Sequence, residues 1–293
     1  MGDLRIRPMT AADVPAAERV SDEGFYELDV RSRRDSWPEP ERRTDPHRKV
    51  WMARTRHLVG TDPRGCWVAE DATGIVGIAT SFRRESLWCL ATYAVLPRRQ
   101  GQGIGKPLLA AALDHGRGCV RGMLSASADS RAVRIYYQAG FELHPQLFLT
   151  GTVDRTAIPA VDKVREGSAS DIELMDSLDR RLRGAGHGPD HELMLSTWRL
   201  LVSDTSTGSG YAYLDERGRL ALLAASNRRT ATRLLWTVLA DGPDETSIHH
   251  VTGANQWVLD VGLAARLRLD QEGYLGLRGM KPPTPYVHHG ALL

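Results

Sequence analysis

Apolar residues recur every three or four positions in some stretches of this chain and every second position in others. The switches between these two periods outline its elements. After the short run "LRIRPMT", Thr10 stands where a helix cap belongs, and "AADVPAAERV" follows with small and apolar residues at helical spacing, predicting a strand and then a helix. The segment "SRRDSWPEPERRTDP" is charged, broken by Pro38, Pro40 and Pro46, and without period, so it is expected to be an exposed loop before a second helix over "HRKVWMARTRHLV". From Gly65 the period changes. "GCWVAE", "IVGIATSF" and "SLWCLATYAVLP" are β-rich runs joined by short polar breaks, which predicts an antiparallel meander. It ends at Pro97 and runs into "RQGQGIGKPLL", after which Ile104, Leu108, Leu109, Ala112 and Leu113 mark one face of a helix. A strand "CVRGMLSAS", a helix "SRAVRIYYQA" ended by Gly140, and a strand "FELHPQLFLTG" complete the order β-α-α-β-β-β-α-β-α-β.

The second half starts the pattern again. "IRPMTAADV" from Ile6 can be laid over "VREGSASDI" from Val164, matching the Arg, the cap hydroxyl (Thr10, Ser168), Ala and Asp in register. "PLLAAALDHG" from Pro107 matches "RLLWTVLADG" from Arg233, and "ANQWVLDVGLAARL" with "EGYLGLRGM" parallels the end of the first half. An internal duplication is expected, with a boundary near residues 152 to 161. A length of 293 residues suits two domains.

Composition narrows the function. The balance of 38 basic and 36 acidic residues offers no bulk attraction to nucleic acid or membrane, which favours small-molecule chemistry. No apolar run approaches the ~20 residues of a membrane helix, and the N-terminus has no signal-like segment, so a cytoplasmic protein is expected. Cys66, Cys89 and Cys119 are odd in number and read as small buried hydrophobes. His187 with His191, His249 with His250 and His288 with His289 lack a carboxylate at zinc-motif spacing; they are expected to be solvated, with no metal bound. Trp257 heads an apolar helical stripe and reads as core.

The glycines of "RQGQGIGKPLL" suggest a loop that brings backbone N–H groups against phosphate. A nucleotide P-loop would need Gly at position 100 and a hydroxyl at 107, where Gln100 and Pro107 stand. The dinucleotide fingerprint fails because Gly101, Gly103 and Gly105 are spaced by two throughout. What fits is Gln-x-x-Gly-x-Gly, filled by Gln100, Gly103 and Gly105 between a strand ending Val95-Leu96-Pro97 and an apolar helix. Here the sequence resembles the GNAT superfamily of acyl-CoA-dependent N-acetyltransferases. The resemblance extends to a second motif, met by Ala132, Ile135, Tyr136, Gly140 and Phe141, with Asp129 where the family has Asn. Together the two motifs, the strand between them and the meander ahead of them cover most of residues 4 to 150.

The resemblance implies an α+β protein of two GNAT-like domains, residues 1–153 and 160–293, each a mixed, mostly antiparallel sheet flanked by helices. It places acetyl-CoA, as cosubstrate, on Val95, Leu96, Gln100, Gly101, Gln102, Gly103, Ile104, Gly105, Lys106, Asp129, Ala132 and Tyr136. It implies direct acyl transfer to a primary amine of a small molecule or peptide. The backbone N–H of Val95 or Leu96 would polarise the thioester carbonyl, and Tyr136, or its neighbour Tyr137, would protonate the leaving thiolate. The family's strand glutamate is missing, since Cys89 stands there; Glu85, Glu23, Glu27, water and the segment ending at Leu293 are the candidate bases. Laid over the repeat, the loop becomes "SNRRTAT" from Ser226, with no glycine, so the second domain is expected to bind coenzyme A poorly or not at all and to wall the acceptor cleft, stabilise the first domain or mediate self-association as a homodimer. The alternative is a non-catalytic acyl-CoA sensor that kept the fold and lost the reaction.

Overall fold

The chain runs twice through one order of elements. The first run is β1 (Arg5–Pro8), α1 (Val14–Ser32), α2 (Asp45–Thr61), β2 (Cys66–Asp71), β3 (Gly74–Arg84), β4 (Leu87–Val95), α3 (Gly105–Asp114), β5 (Arg121–Ala126), α4 (Ser130–Gln138) and β6 (Glu142–Thr152). The second is β7 (Arg165–Glu166), α5 (Ile172–Arg183), α6 (Asp190–Thr197), β8 (Arg199–Thr205), β9 (Gly208–Leu214), β10 (Leu220–Ala225), α7 (Arg228–Asp241), β11 (Glu245–Thr252), α8 (Trp257–Ala264) and β12 (Arg268–Arg278). A last strand, β13 (Tyr286–Val287), has no counterpart. This computed structural model describes residues 4–34, 37 and 39–293; of the proline-rich loop, Asp35, Ser36 and Pro38, including the break expected at Pro38, lie outside the described residues.

The duplication extends to side chains. Arg7 grips Asp13 with two N–H groups at 2.8 and 2.9 Å, and Asp13 accepts the Thr10 N–H at 2.8 Å. Arg165 grips Asp171 in the same way, and Asp171 accepts the Ser168 N–H at 2.9 Å. Each pair fixes the turn from a first strand into a first helix. Hydrogen bonds from the paired arginine hold the Asp13 and Asp171 carboxyls below the usual range.

Among the described residues two sheets form, as the duplicated pattern predicts, but they are not assigned one to each half. The larger has the order β1-β2-β3-β4-β5-β12-β6-β11, so a strand from the end of the chain separates β5 from β6. Tyr274 of β12 pairs with Ala126 on one side and Pro145 on the other, and Ile248 of β11 pairs with Leu149. The central order 5-12-6-11 is symmetric under the exchange of halves: β6 and β12 trade places, flanked by β5 and β11. The smaller sheet is β13-β10-β9-β8-β7.

In the first half, β4 and β5 run parallel only from Leu87↔Arg121 to Leu90↔Leu124 and then part. In the second half β13 occupies the matching edge of β10, pairing Leu223 with Val287 and Ala224 with Tyr286, and it also touches β11. The gap that stays open beside β4 is thus filled beside β10 by the chain's own last strand.

One apolar core draws on both halves, from Val68, Ile78 and Trp88 to Met175, Tyr211 and Tyr286; a second, around α7 and α8, contains Trp257 and takes Leu149 and Val153 from the first half. Between the halves the Arg84 guanidinium is buried against Asp62 at 2.9 Å and Asp190 (Nε to Oδ2) at 2.8 Å, and Asp190 also meets His57 at 2.8 Å. Removing one partner of such a buried pair costs ~3–5 kcal/mol, because the other charge is left without compensation. As expected, Cys66 and Cys89 are buried, while Cys119 is half-buried; none is paired. No helix among the described residues is long and apolar enough to cross a membrane.

Candidate active site

A cleft of about 1250 Å³ opens where β4 and β5 part. At one end lies the loop from Gln100 to Ile104. Gly101 and Gly103 have φ of 79° and 81°, the left-handed region that favours glycine, and a Cβ at either would meet no protein atom within 4 Å. The loop therefore needs glycine for its backbone, and the space over it is free. Gly105 is needed for a different reason, since a Cβ there would collide with the Tyr93 hydroxyl. α3 begins at Gly105 with no side-chain cap, so the N–H groups of its first turn have no acceptor in the helix and point out with the positive end of the helix dipole. Pro107 sits in that turn, where it forfeits an N–H that would be unpaired anyway. α7 differs: Asn227 caps it by accepting the Thr230 N–H at 3.0 Å.

The sheet register distinguishes the two candidate amides. Leu96 N–H donates to the Val76 carbonyl at 2.9 Å, which makes Val95 and Gly77 a non-hydrogen-bonded pair. Val95 therefore turns its own N–H and C=O away from β3. Its carbonyl accepts from Gln100 Nε2 at 3.0 Å, and its N–H faces the gap left by β5. Leu96, expected among the cofactor contacts, is buried with its N–H consumed and does not line the cleft. Gln102 is on the outside of the loop, donating to the Arg98 carbonyl, and does not line the cleft either. Gln100, Gly101, Gly103, Ile104, Gly105 and Lys106 do line it.

Asp129, Ala132 and Tyr136 also border the cleft, from α4. Asp129 caps that helix, accepting the Arg131 N–H at 2.8 Å and the Ala132 N–H at 3.4 Å. Where an asparagine would only cap, the carboxylate also pairs with Arg31 at 2.6 Å and Arg131 at 3.1 Å. Burial opposes its charge, but the Arg131 contacts outweigh it and lower the pKa. Tyr136 is 5% exposed, and its ring meets Tyr93 edge-on at 6.1 Å. Burial first, and then the charges of Tyr93 and Asp129, push its pKa up, so the phenol keeps its proton. Tyr137 is 69% exposed and outside the cleft, which removes it as the acid.

None of the carboxylates expected as bases lies here. Glu85 is not on β4 but in the turn before it, at φ 52°, where its carboxylate pairs with Arg180 at 2.7 Å and is absent from the cleft lining. Counting alternate residues back along the strand fails because the strand begins only at Leu87. Glu23 pairs with Arg98 at 3.2 Å, and neither it nor Glu27 lines the cleft. Leu293 is buried, its carbonyl accepting from Arg183.

The far end of the cleft is built largely by the second half and was missed by sequence reasoning. Ser247, His249 and His250 of β11 and Glu272 of β12 line it with Trp37 and Phe148. The histidines expected to be solvated divide into two groups, apart from His289, which is partly buried and accepts the Ala291 and Leu292 N–H groups at Nδ1 at 3.1 and 2.9 Å. His187, His191 and His288 are buried; His187 Nδ1 lies 2.7 Å from Asp179, and His191 Nδ1 lies 3.1 Å from the Tyr213 hydroxyl. His249 and His250 face the cleft. Adjacency in the sequence was the only available signal, and it does not say what lies opposite.

Residues 62–143 match the GNAT acetyltransferase domain family. The chain is similar to a putative acetyltransferase from Pyrococcus horikoshii (TM-score 0.75, 18% identity, 99% of this chain and 95% of that one). It is also similar to a GCN5-related N-acetyltransferase from Sphaerobacter thermophilus (TM-score 0.57, 17% identity, 96% of each chain). A third similarity is to a tandem GNAT protein from the clavulanic acid biosynthesis pathway (TM-score 0.57, 13% identity, 95% of this chain and 99% of that one). No curated protein sequence matches. Residues 62–143 are thus a GNAT acetyltransferase domain, set in a chain that has the fold of the tandem GNAT proteins.

Proposed function

We propose that the protein transfers an acetyl group from acetyl-CoA directly to a primary amine, with the cofactor bound by the first half alone. The observation that carries this reading is the Val95 N–H, turned into a gap whose mouth holds the open glycine loop and the uncapped start of α3. The loop and helix N–H groups suit a diphosphate, and bonds to a charged acceptor contribute about 1.5–3 kcal/mol each. Val95 N–H is oriented before reaction toward the place where charge develops on the thioester oxygen. Tyr136 holds a proton for the leaving sulfur. The burial that makes the phenol a weaker acid also makes a thiolate in the same site a stronger base, so the transfer is not lost to desolvation. Asn227 over α7 and β13 beside β10 leave the second half neither a free helix start nor a gap, which supports a cofactor-free role for it.

The test is calorimetric titration with coenzyme A, followed by thiol release from acetyl-CoA over a panel of primary amines: amino acids, polyamines, aminoglycosides and short peptides. Binding with turnover of at least one amine supports an enzyme. Binding without turnover across the panel returns the chain to the sensor reading, and no binding refutes the loop assignment.

A further inference from the structure

An acceptor amine is mostly protonated near neutral pH and must lose a proton before it can attack. β11 and β12 flank β6 on opposite sides, and both bring polar residues to the end of the cleft away from β4 and the glycine loop. The pairing of β11 with β6 runs Ile248↔Leu149 and then Val251↔Leu147, so His249 and His250 together face the single residue Phe148. This is a β-bulge, with His250 at φ 64°, and bulges re-aim side chains. Both histidines converge on one carboxylate. His249 Nδ1 lies 2.8 Å from Glu272 Oε2, and Glu272 Oε1 accepts the His250 main-chain N–H.

The second nitrogen of His249, Nε2, lies 3.0 Å from Ser247 Oγ. A carboxylate can only accept at Nδ1, so the Nδ1–H tautomer is favoured and the lone pair lies on Nε2, where the Ser247 hydroxyl donates to it. The imidazole is stacked flat on Phe148, with centroids 5.4 Å apart and planes within 1°, and Trp37 meets that ring edge-on at 5.5 Å. The His249 side chain is 47% exposed, against 17% for Glu272. The arrangement is a basic nitrogen facing the cleft, oriented by a more deeply set carboxylate and an aromatic wall.

We propose that His249, held by Glu272, is the base that deprotonates the acceptor amine, so that the second half supplies the base for a reaction whose cofactor loop lies in the first. The inference rests on the acetyltransferase reading above. Because β11 stands four strands from β4, one ammonium proton passes through water in the cleft to His249 Nε2, displacing the Ser247 hydroxyl, and the imidazolium is balanced by Glu272. The freed nitrogen lone pair forms the C–N bond and the C–S bond breaks. Sulfur takes the Tyr136 proton, and the second nitrogen proton, shed as the amide forms, restores the phenol. His249 returns its proton to water. His249 is thus a catalytic residue and Glu272 a positioning residue. Glu272 on β12, Ser247 on β11 and Phe148 on β6 contact His249, His250 stands beside it on β11, and His288 stacks on His250; the charges of Arg219, which lines the same cleft, and of Asp215 also act on it from the β9–β10 turn. Loss of water on its cleft-wall side lowers the pKa of the half-exposed His249, and the charge and hydrogen bond of Glu272 more than restore it, so the net shift is upward.

The test compares wild type with His249→Gln and Glu272→Gln, using coenzyme A for binding and the amine panel above for turnover, with circular dichroism to check folding. His249→Gln should bind coenzyme A as wild type does, lose ~10²-fold or more in kcat/KM and lose the acid limb of its pH profile. Glu272→Gln should shift that limb to lower pH, which a merely structural role would not do. A His249→Gln variant with the wild-type rate and pH profile overturns the proposal. So does acetylated Ser247 in the intact mass after incubation with acetyl-CoA, which would make Ser247 a nucleophile. Wild type that turns over no panel amine, with or without binding coenzyme A, sinks the acetyltransferase reading and the base with it, whereas turnover by wild type with no loss in His249→Gln overturns the base alone.

Discussion

Gly103→Val separates the backbone role of the glycine loop from its role against a ligand, provided that strain is controlled for. Gly118, exposed in the turn after α3 and outside the cleft, supplies the control: its φ is 84° against 81° at Gly103, and a Cβ at either position meets no protein atom within 4 Å. A β-branched residue at such a φ costs about 1–3 kcal/mol, so both variants should melt lower by a similar amount, about 2–4 °C for each kcal/mol. They should differ in what they do to coenzyme A. If the valine at 103 displaces the diphosphate from two charge-assisted hydrogen bonds, the loss is about 3–6 kcal/mol, or roughly 10²- to 10⁴-fold in Kd. Gly118→Val should bind within twofold of wild type. Isothermal titration at a temperature where both variants remain folded measures the difference. Equal affinities would refute the assignment of the loop as a diphosphate cradle, whatever the melting temperatures do.

Tyr136→Phe should lower kcat by ~10²- to 10⁴-fold and leave the coenzyme A Kd unchanged, read by steady-state thiol release beside calorimetry. The Asp62 carboxyl is held at about 2: burial would raise it, but His115, Arg84 and the Arg83 N–H outweigh burial. Between pH 4 and 2 the unfolded chain binds more protons at this site. Stability from Asp62, on the order of 2 kcal/mol, is thus full above pH 4 and lost as pH falls through 2. Urea denaturation should show a shallower acid decline in Asp62→Asn. Deleting residues 281–293 should uncover the β10 edge and produce concentration-dependent association by light scattering, because an unpaired central edge recruits another strand.

The order of elements in both halves was legible because helical and strand periods, caps and glycine breaks are local signals. Arg7 with Asp13 and Arg165 with Asp171 repeat at one spacing, which makes the duplication visible as well. The exchange of β6 and β12 was not legible. An alternating run such as "EGYLGLRGM" buries the same face in either sheet, and its neighbours are chosen by tertiary packing. The glycine loop was visible as a spacing and Tyr136 only through the family resemblance, and both line the cleft. The His249–Glu272 pair was visible in neither way, because it depends on a bulge that puts two residues opposite Phe148 and on a strand 20 or so residues away. Glu85 failed for a related reason: parity along a strand has meaning only once its first residue is known.

The shared strands also set a timetable for synthesis. When β6 has been made, the sheet of the first half still has a vacancy between β5 and β6, and it stays vacant until β12 emerges. At ~5–20 residues per second that wait is on the order of ten seconds, during which two strand edges beside the nascent cleft have no partner. A ribosome that stopped after the first half would release an unfinished sheet rather than a small enzyme. Fusion is thereby locked in: a half without a glycine loop cannot be discarded, since the half that has one is completed by it.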